Sequence, residues 1–356
     1  MIPETGFRNV KTREQQRAEK KILILRILFL AMILAGLVLL VWVWEKRSDA
    51  GERDPAAGML VTAPPKEVMA IGYQGHSYVP RENIETTLLI GTDVSEDETR
   101  DSRDWTYSLA DMLMLIVADK AEKTYTALQI NRDTVTTIQM VDDNGQFVDY
   151  FQGQVTLANA YGGSPQRCAK NTLDAVRFIL MNVEIDHYVT VTMDSVGILN
   201  DMVGGVTVEV MDDGIAPGLV KGQTVKLTGD QALRYVRARM SLDDSTNAHR
   251  MERQRQYLDG LMEGFRKSAA KDSSFVMNSL LKLSDYMVSD CNIQKLSDLV
   301  NTFMSYKQTD LRTLEGETRY GETLKDMGIE GRYAEFYPDQ EALRATVMDL
   351  FYRRID

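Results

Sequence analysis

An uncharged apolar run near the N-terminus constrains the folding of this chain more than any other sequence feature. Residues 27–44 read ILFLAMILAGLVLLVWVW, which is 18 residues without a charge, and residues 22–25 lengthen the run if Arg26 extends toward the lipid headgroups. This length suffices for one membrane crossing, and Trp42 and Trp44 stand where an interfacial aromatic belt belongs. The sequence therefore predicts a transmembrane anchor over residues 22–44.

The flanking charge predicts the orientation of this anchor. The residues up to Arg26 carry seven basic and three acidic side chains. The positive-inside rule then predicts a cytoplasmic basic stub over residues 1–21 and places everything after Trp44 outside the membrane. A cleaved signal peptide is the alternative, but the run is longer than a usual signal core and ends in WVWEK instead of a small-residue cleavage site.

The charge balance also limits the partners. The formal charge of the whole chain is −11 and the residues up to Arg26 contribute +4, so the remainder carries −15. An acidic body of this kind does not favour a nucleic-acid partner, and a stub of roughly 25 residues is too short for a DNA-binding helix-turn-helix domain.

Cysteine and histidine are sparse in this sequence. The two cysteines are Cys168 and Cys291, and the three histidines are His76, His187 and His249. None of them stands at a metal-ligand spacing from another, so a His/Cys metal site is not expected, and no disulfide follows from the spacing.

Strand-like and helix-like segments alternate after a stretch rich in Gly, Pro and charge. Residues 45–82 are expected to form an extracellular linker, 83–270 the catalytic domain, and 271–356 a C-terminal α/β extension that completes the fold. Such alternation is typical of the α/β class, with helices covering a sheet. The predicted strands are 86–93, 112–119, 124–133, 187–193 and 206–210. The predicted helices are 171–183, a helix in SVGILNDMVGGV (195–206) that the two glycines end, 228–236 and about 250–265.

Two carboxylates and an arginine are predicted to meet at one rim of the sheet. A hairpin centred between Ala121 and Glu122 sets Asp111 opposite Arg132, with Asp133 next in sequence. Asp93 ends the preceding strand and reaches the same rim if that strand runs antiparallel. Asp93 and Asp111 together suit a hard cation such as Mg²⁺, which needs few carboxylates beside phosphate and water oxygens. The alternative is that these are ordinary polar residues at strand ends.

An arginine-dense segment, LRYVRARMSLDDSTNAHRMERQRQ, spans residues 233–256 of this acidic protein. The apolar stripe of the last predicted helix continues backward to Gln254 and Arg250, so both should face the core at the helix N-terminus, whereas Arg255 should be solvated. Arg237 and Arg239 precede them across a polar loop. Planar guanidinium groups suit a phosphate or pyrophosphate. The alternatives are a solvated helix face, or internal salt bridges to the acidic residues Asp243, Asp244 and Glu252.

In their order and spacing, these segments resemble the LytR-CpsA-Psr family of bacterial envelope proteins over about residues 86–265. The resemblance lies in LLIGTD, the AD of residues 110–111, INRDT, NAYGG, DHYVTV, NDMVGGV, LTGDQALRYVRAR and RMERQ. It implies an α/β/α sandwich with a central mixed sheet that binds a polyprenyl pyrophosphate. It also implies transfer of a lipid-linked glycopolymer, such as teichoic acid or capsular polysaccharide, onto peptidoglycan.

The resemblance also implies roles for individual residues. Asp93 and Asp111 would hold Mg²⁺ against the pyrophosphate, and either Asp133 or a metal-binding carboxylate would act as base. The pyrophosphate oxygens would be bound by Arg132, Arg237, Arg239, Arg250 and Gln254.

One position departs from the family pattern. Where the family usually has an arginine two residues before the second aspartate, this chain has Leu109, and Arg100 or Arg103 in the preceding loop would have to substitute. A polyprenyl-pyrophosphate phosphatase and a non-catalytic lipid-binding or regulatory envelope protein therefore stay open as alternative functions.

Overall fold

The part of the chain that can be placed runs from residue 70 to the C-terminus. A computed structural model describes residues 70–93, 108–142, 146–238, 247–325 and 328–356. The predicted stub, the predicted anchor, most of the predicted linker, and Arg100, Arg103, Arg239, Asp243 and Asp244 lie outside these residues. Among the described residues, no helix combines the length and the apolar character needed to cross a membrane.

The elements are numbered here in chain order. The strands are β1 (Ile71–Tyr73), β2 (His76–Pro80), β3 (Ile84–Asp93), β4 (Leu109–Asp119), β5 (Thr124–Ile130), β6 (Val135–Val141), β7 (Phe147–Gln154), β8 (His187–Thr192), β9 (Thr207–Glu209), β10 (Thr224–Lys226), β11 (Met287–Ser289), β12 (Lys307–Thr313), β13 (Gly316–Gly321), β14 (Tyr333–Pro338) and β15 (Tyr352–Arg354). The helices are α1 (Pro165–Ile179), α2 (Asp194–Met202), α3 (Gly229–Arg237), α4 (Asn247–Lys271), α5 (Phe275–Leu283), α6 (Ile293–Ser305) and α7 (Gln340–Phe351), with 3₁₀ turns at Val155–Tyr161 and Ser284–Tyr286.

A mixed sheet forms the centre of the fold. In the described part of the chain, six strands pair in the order β11-β8-β3-β4-β5-β12. The pairs β3/β4, β4/β5 and β8/β11 are antiparallel, whereas β3/β8 and β5/β12 are parallel. This arrangement confirms the predicted α/β class with a central mixed sheet.

Helices cover both faces of this sheet because its central strands are apolar on both sides. On β4, Leu113 and Leu115 face a core shared with α1 and α7. Met114 and Ile116 face the opposite core, which includes Leu258 of α4. Strands buried on both faces read as nearly continuous apolar runs, as MLMLIVA does here.

A short hairpin lies where the sequence predicted the end of the linker. β1 and β2 pair around a two-residue turn, Gln74 and Gly75, which both have positive φ (49° and 80°). Positive φ at both central residues is typical of a type I′ turn, whose backbone twist matches the right-handed twist of the two strands. Glycine adopts this conformation without strain. β2 then pairs with β15 near the C-terminus.

The predicted C-terminal extension is part of the central sheet. β11 pairs with β8 at one edge, and β12 pairs with β5 at the other. Residues 271–356 therefore contribute one strand to each edge of this sheet. These strands are short or half-exposed, so their sequences lack the continuous apolar runs that marked the central strands.

Candidate functional site

A β-bulge interrupts the pairing of β3 and β4 at Asp111. Gly91 pairs with Met112, and the next residue, Thr92, pairs with Ala110, so Asp111 is one extra residue in the register. The strands approach closely at this point, because a Cβ on Gly91 would lie 3.1 Å from the Cβ of Met112. Bulges of this kind locally redirect a side chain and often stand beside active sites.

The bulge turns the carboxylate of Asp111 toward α4. Regular alternation would send Asp111 to the same side as Leu113, which faces the α1 and α7 core. Instead, Ala110 joins that core, and Asp111 contacts Arg250 of α4 on the opposite side. One extra residue therefore converts a core-facing position into a site-facing one.

The predicted opposition of Asp111 and Arg132 is confirmed. Leu113 pairs with Ile130, so the register continues to Asp111 and Arg132, and their side chains form a close ion pair. Arg132 Nε also lies 3.3 Å from Asp133 Oδ1. The open end of the hairpin thus carries two carboxylates and a guanidinium group.

Asp93 reaches the same rim and pairs with α3. β3 runs antiparallel to β4, as the prediction required. Arg237 Nη2 lies 2.9 Å from Asp93 Oδ1 and donates a hydrogen bond to Oδ2 at 3.1 Å. The last turn of α3 is therefore joined electrostatically to the end of β3.

The inward orientation of Arg250 and Gln254 is confirmed. Arg250 is 2% exposed and Gln254 is 4% exposed. Arg250 Nη1 lies 3.5 Å from Asp111 Oδ2, and Nη2 donates to the main-chain oxygen of Asp111. Gln254 Nε2 donates to the Val236 carbonyl at 3.5 Å. The expected solvation of Arg255 is corrected: this side chain is half-buried beside a cavity under α4.

Arg253 is a structurally important residue that the sequence reasoning did not single out. It is 1% exposed, and Nη1 lies 2.7 Å from Asp212 Oδ2. Its other nitrogens donate to the carbonyls of Tyr235 and Ala238, at the C-terminal end of α3. The sequence does indicate that Arg253 is buried, because the apolar residue Tyr257 stands four positions later on the same helical face and is itself buried. Arg253 fixes the end of the helix that carries Arg237.

The N-terminus of α3 has a capping box formed by Thr228 and Gln231. Thr228 Oγ1 accepts from the Gln231 amide at 3.4 Å, and Gln231 Oε1 accepts from the Thr228 amide at 3.1 Å. Both ends of the helix that presents Arg237 are therefore held by side chains, the second by Arg253.

We expect Thr228→Ala to lower the free energy of unfolding by about 1 kcal/mol, because one helix N–H loses its acceptor. Chemical denaturation of the purified variant measures the change. Thr228→Ser keeps the hydroxyl and serves as the matched control, with stability close to wild type. Equal stability of the alanine and serine variants would contradict a role for the cap.

An apolar cavity of about 80 Å³ adjoins the ionic residues. Met112, Val236 and Gln254 line it, so it borders the sequence neighbours of Asp111 and Arg237. Burial raises the pKa of Tyr257, another lining residue, well above its ordinary range, and its neutral hydroxyl donates to the Val196 carbonyl at 3.2 Å. A second apolar cavity of about 90 Å³ lies further along α4 and shares Leu258 with the first. The site therefore combines a charged rim with apolar space beneath one helix.

The described residues of this rim carry opposite charges. They include three guanidinium groups and three carboxylates, whose formal charges sum to zero: Arg132, Arg237, Arg250, Asp93, Asp111 and Asp133. The carboxylates offer hard oxygen donors of the kind that Mg²⁺ prefers. The donor chemistry of Asp93 and Asp111 therefore fits the predicted cation.

The amino-acid sequence matches a known protein family and is similar to named relatives. The sequence profile of the LytR_cpsA_psr family matches residues 69–346. The polyisoprenyl-teichoic acid–peptidoglycan teichoic acid transferase TagU of Halalkalibacterium halodurans is 33% identical over 166 residues, which cover 46% of this chain and 50% of that protein. The protein of the same name from Enterococcus faecalis is 27% identical over 235 residues, covering 64% and 69%. The chain thus spans about half the length of the first of these relatives.

A solved structure shares the fold. The protein gbs0355 from Streptococcus agalactiae superposes with a TM-score of 0.60 at 20% identity, over 75% of this chain and 86% of that one. At 20% identity, this similarity shows that the two proteins share a fold. It does not show that they share a reaction.

Proposed function

Because this chain belongs to the LytR_cpsA_psr family, we propose that it transfers a glycopolymer from a polyprenyl-pyrophosphate carrier to peptidoglycan during assembly of the cell envelope. The observation that carries the proposal is the charged rim beside an apolar cavity, both bordered by α4. A polyprenyl pyrophosphate has the same two parts, an anionic headgroup and an apolar chain. The two relatives described above are named teichoic acid transferases, and their names agree with this substrate class.

The balanced charges explain why a cation belongs in the proposal. Arg237 is already paired with Asp93, and Arg132 and Arg250 with Asp111. A pyrophosphate that approached these ion pairs would have to compete with the two carboxylates for the arginines. In our proposal Asp93 and Asp111 would hold Mg²⁺, and the ion would supply positive charge beside the leaving pyrophosphate. The arginines would present their planar N–H groups to the pyrophosphate oxygens.

The proposed reaction is a displacement at the first sugar. A hydroxyl oxygen of peptidoglycan attacks the anomeric carbon, a new C–O bond forms, and the bond between that carbon and the pyrophosphate oxygen breaks. The hydroxyl proton passes to a carboxylate, for which we assign Asp133, and the polyprenyl pyrophosphate leaves. Arg132, Arg237, Arg250 and Gln254, with Arg239, stabilise the charge that grows on the leaving group.

The anchor completes the proposal. We propose that residues 22–44 cross the membrane once, with residues 1–21 in the cytoplasm and the folded domain outside. This topology would bring the site to the side of the membrane where peptidoglycan lies.

One assay separates the candidate functions. The full-length protein in detergent is incubated with Mg²⁺, a lipid-pyrophosphate-linked sugar and peptidoglycan oligomers. Glycan on the oligomer is the expected result. Released phosphate without transfer would indicate a phosphatase. Tight binding without either product would indicate a regulatory binder, a reading that Leu109 at the usual arginine position favours.

Removal of divalent cations in this assay is expected to slow transfer by at least about tenfold, equivalent to ~1.4 kcal/mol of barrier. Addition of Mg²⁺ should restore the rate. Asp93→Asn should require more Mg²⁺ for half-maximal rate, because an amide is a weaker ligand for a hard cation. Unchanged transfer after exhaustive chelation would exclude the cation from the reaction.

A further inference from the structure

A second group of metal-ligating side chains lies at the opposite end of the central sheet. His187 opens β8 and pairs with Thr87 on the parallel strand β3, six residues before Asp93. At about 3.3 Å per residue, this places the group roughly 20 Å from the charged rim. Asp290 and Cys291 follow β11 directly and meet His187 there. The proposed transfer reaction uses none of these residues.

The donor atoms are close enough to share one ion. His187, Asp290 and Cys291 offer a nitrogen, an oxygen and a sulfur that all lie within 4.8 Å of one another. His187 Nδ1 is 3.6 Å from Asp290 Oδ2, and Cys291 Sγ is 3.5 Å from Asp290 Oδ1. Tetrahedral ligands bonded to Zn²⁺ at about 2.0–2.3 Å stand roughly 3.3–3.8 Å apart. Each of the two separations falls in this range, one through each oxygen of Asp290.

The surrounding contacts orient the donors as metal sites require. Glu85 Oε1 lies 3.5 Å from His187 Nε2, and Lys295 Nζ holds this carboxylate at 2.5 Å. A carboxylate on the far ring nitrogen is a usual partner of a metal-binding histidine, because it leaves the other nitrogen with its lone pair toward the ion. Asp290 Oδ1 accepts from the Tyr188 amide at 3.1 Å, which orients this carboxylate.

The donor set selects the class of ion. A thiolate with an imidazole favours Zn²⁺ and related borderline transition metals, whereas Mg²⁺ and Ca²⁺ take oxygen ligands. The His187 and Asp290 side chains are 23% and 34% exposed, so an ion has a path from solvent and a water can fill the fourth position. This site therefore differs in chemistry from the carboxylate pair at the charged rim.

We propose that His187, Asp290 and Cys291 form a transition-metal site, for which Zn²⁺ is the best-matched ion. A bound ion would join the start of β8 to the segment between β11 and α6. It would thereby fasten the edge strand β11, which pairs with β8 through three residues only. Its role is structural: it would tie the C-terminal elements to the sheet.

The test uses the full-length protein, stripped of metal and kept in excess Mg²⁺ to occupy the oxygen site. We expect uptake of one equivalent of Zn²⁺, and Co²⁺ in its place should give the thiolate charge-transfer and visible bands of a tetrahedral cysteine site. Cys291→Ser and His187→Gln should each lose that equivalent and those bands. Glu85→Gln should weaken the affinity about 10- to 100-fold.

His76→Gln is the matched control, because His76 Nδ1 stands 3.5 Å from Asp356 in a histidine–carboxylate pair without a cysteine. This variant should bind Zn²⁺ like wild type. Zn²⁺ should also slow alkylation of Cys291 in the wild-type protein, a readout that does not depend on any variant folding. Zn²⁺ binding that is unchanged in Cys291→Ser, or alkylation that is unaffected by Zn²⁺, would overturn the proposal.

Discussion

Substitution of Arg250 by alanine is expected to lower glycopolymer transfer by about 10²–10³-fold, the usual loss when one donor to a developing anion is removed. The buried guanidinium group contacts both the carboxylate and the main-chain oxygen of Asp111. Under the proposed function, its loss removes a planar donor from the pyrophosphate, while the ion pair between Asp111 and Arg132 stays. Rates of glycan transfer, measured at saturating and limiting lipid substrate, give the size of the effect.

Two variants make the Arg250 result specific. Arg250→Lys keeps the positive charge but loses the planar guanidinium group that can donate two parallel hydrogen bonds. The transfer rate of this variant should therefore fall between those of wild type and Arg250→Ala. Arg234→Ala is the matched control, since Arg234 is an exposed arginine that pairs with Asp230 on α3. Its transfer rate should equal that of wild type. An Arg250→Ala protein that is folded and binds the lipid pyrophosphate normally would contradict the assignment.

Substitution of Arg253 by methionine should have the largest effect on stability, about 3–5 kcal/mol, because it leaves a buried carboxylate without its main counter-charge. Asp212 is 4% exposed, and its other basic neighbour is His249 at 3.5 Å. The carbonyls of Tyr235 and Ala238 lose their donors at the same time. Chemical denaturation of wild type and variant measures the loss of stability.

A double-mutant cycle tests the cause of this loss. Arg253→Met combined with Asp212→Asn removes both charges, so it should recover part of the stability that the single arginine variant loses. Lys267→Met on the same helix is the control, since its pairing with Glu263 is exposed and its effect should be small. If Arg253→Met were as stable as Lys267→Met, the buried pair would have no structural role.

The central hairpin and the inward face of α4 were predictable because local patterns encode them. The turn between β4 and β5 fixes which residues oppose each other, so Asp111 and Arg132 follow from counting. The helical period likewise predicts that Arg250 and Gln254 face the core, because they continue the apolar stripe of α4. The predicted start of the first helix at residue 171 was late, since α1 begins at Pro165 after the N-cap Ser164, a proline and cap signal that apolar periodicity ignores.

Other features depend on residues far apart in sequence, and no local pattern reveals them. His187 and Cys291 were judged isolated because they are about a hundred residues apart, yet β8 and β11 bring them together. The partner of Arg253 is likewise 41 positions away. The bulge at Asp111 is invisible to alternation counting, because both faces of β4 are apolar.

That bulge has a genetic consequence. Since Asp111 is one residue more than the pairing with β3 requires, an in-frame loss of its single codon would leave Gly91 opposite Met112 and Thr92 opposite Ala110 still adjacent in chain order. The core on both faces of β4 would keep its residues, while the carboxylate that contacts Arg132 and Arg250 would vanish. Folding and the proposed chemistry thus depend on different codons of one strand. Under the proposed function, deletion of the Asp111 codon should give a folded but inactive protein.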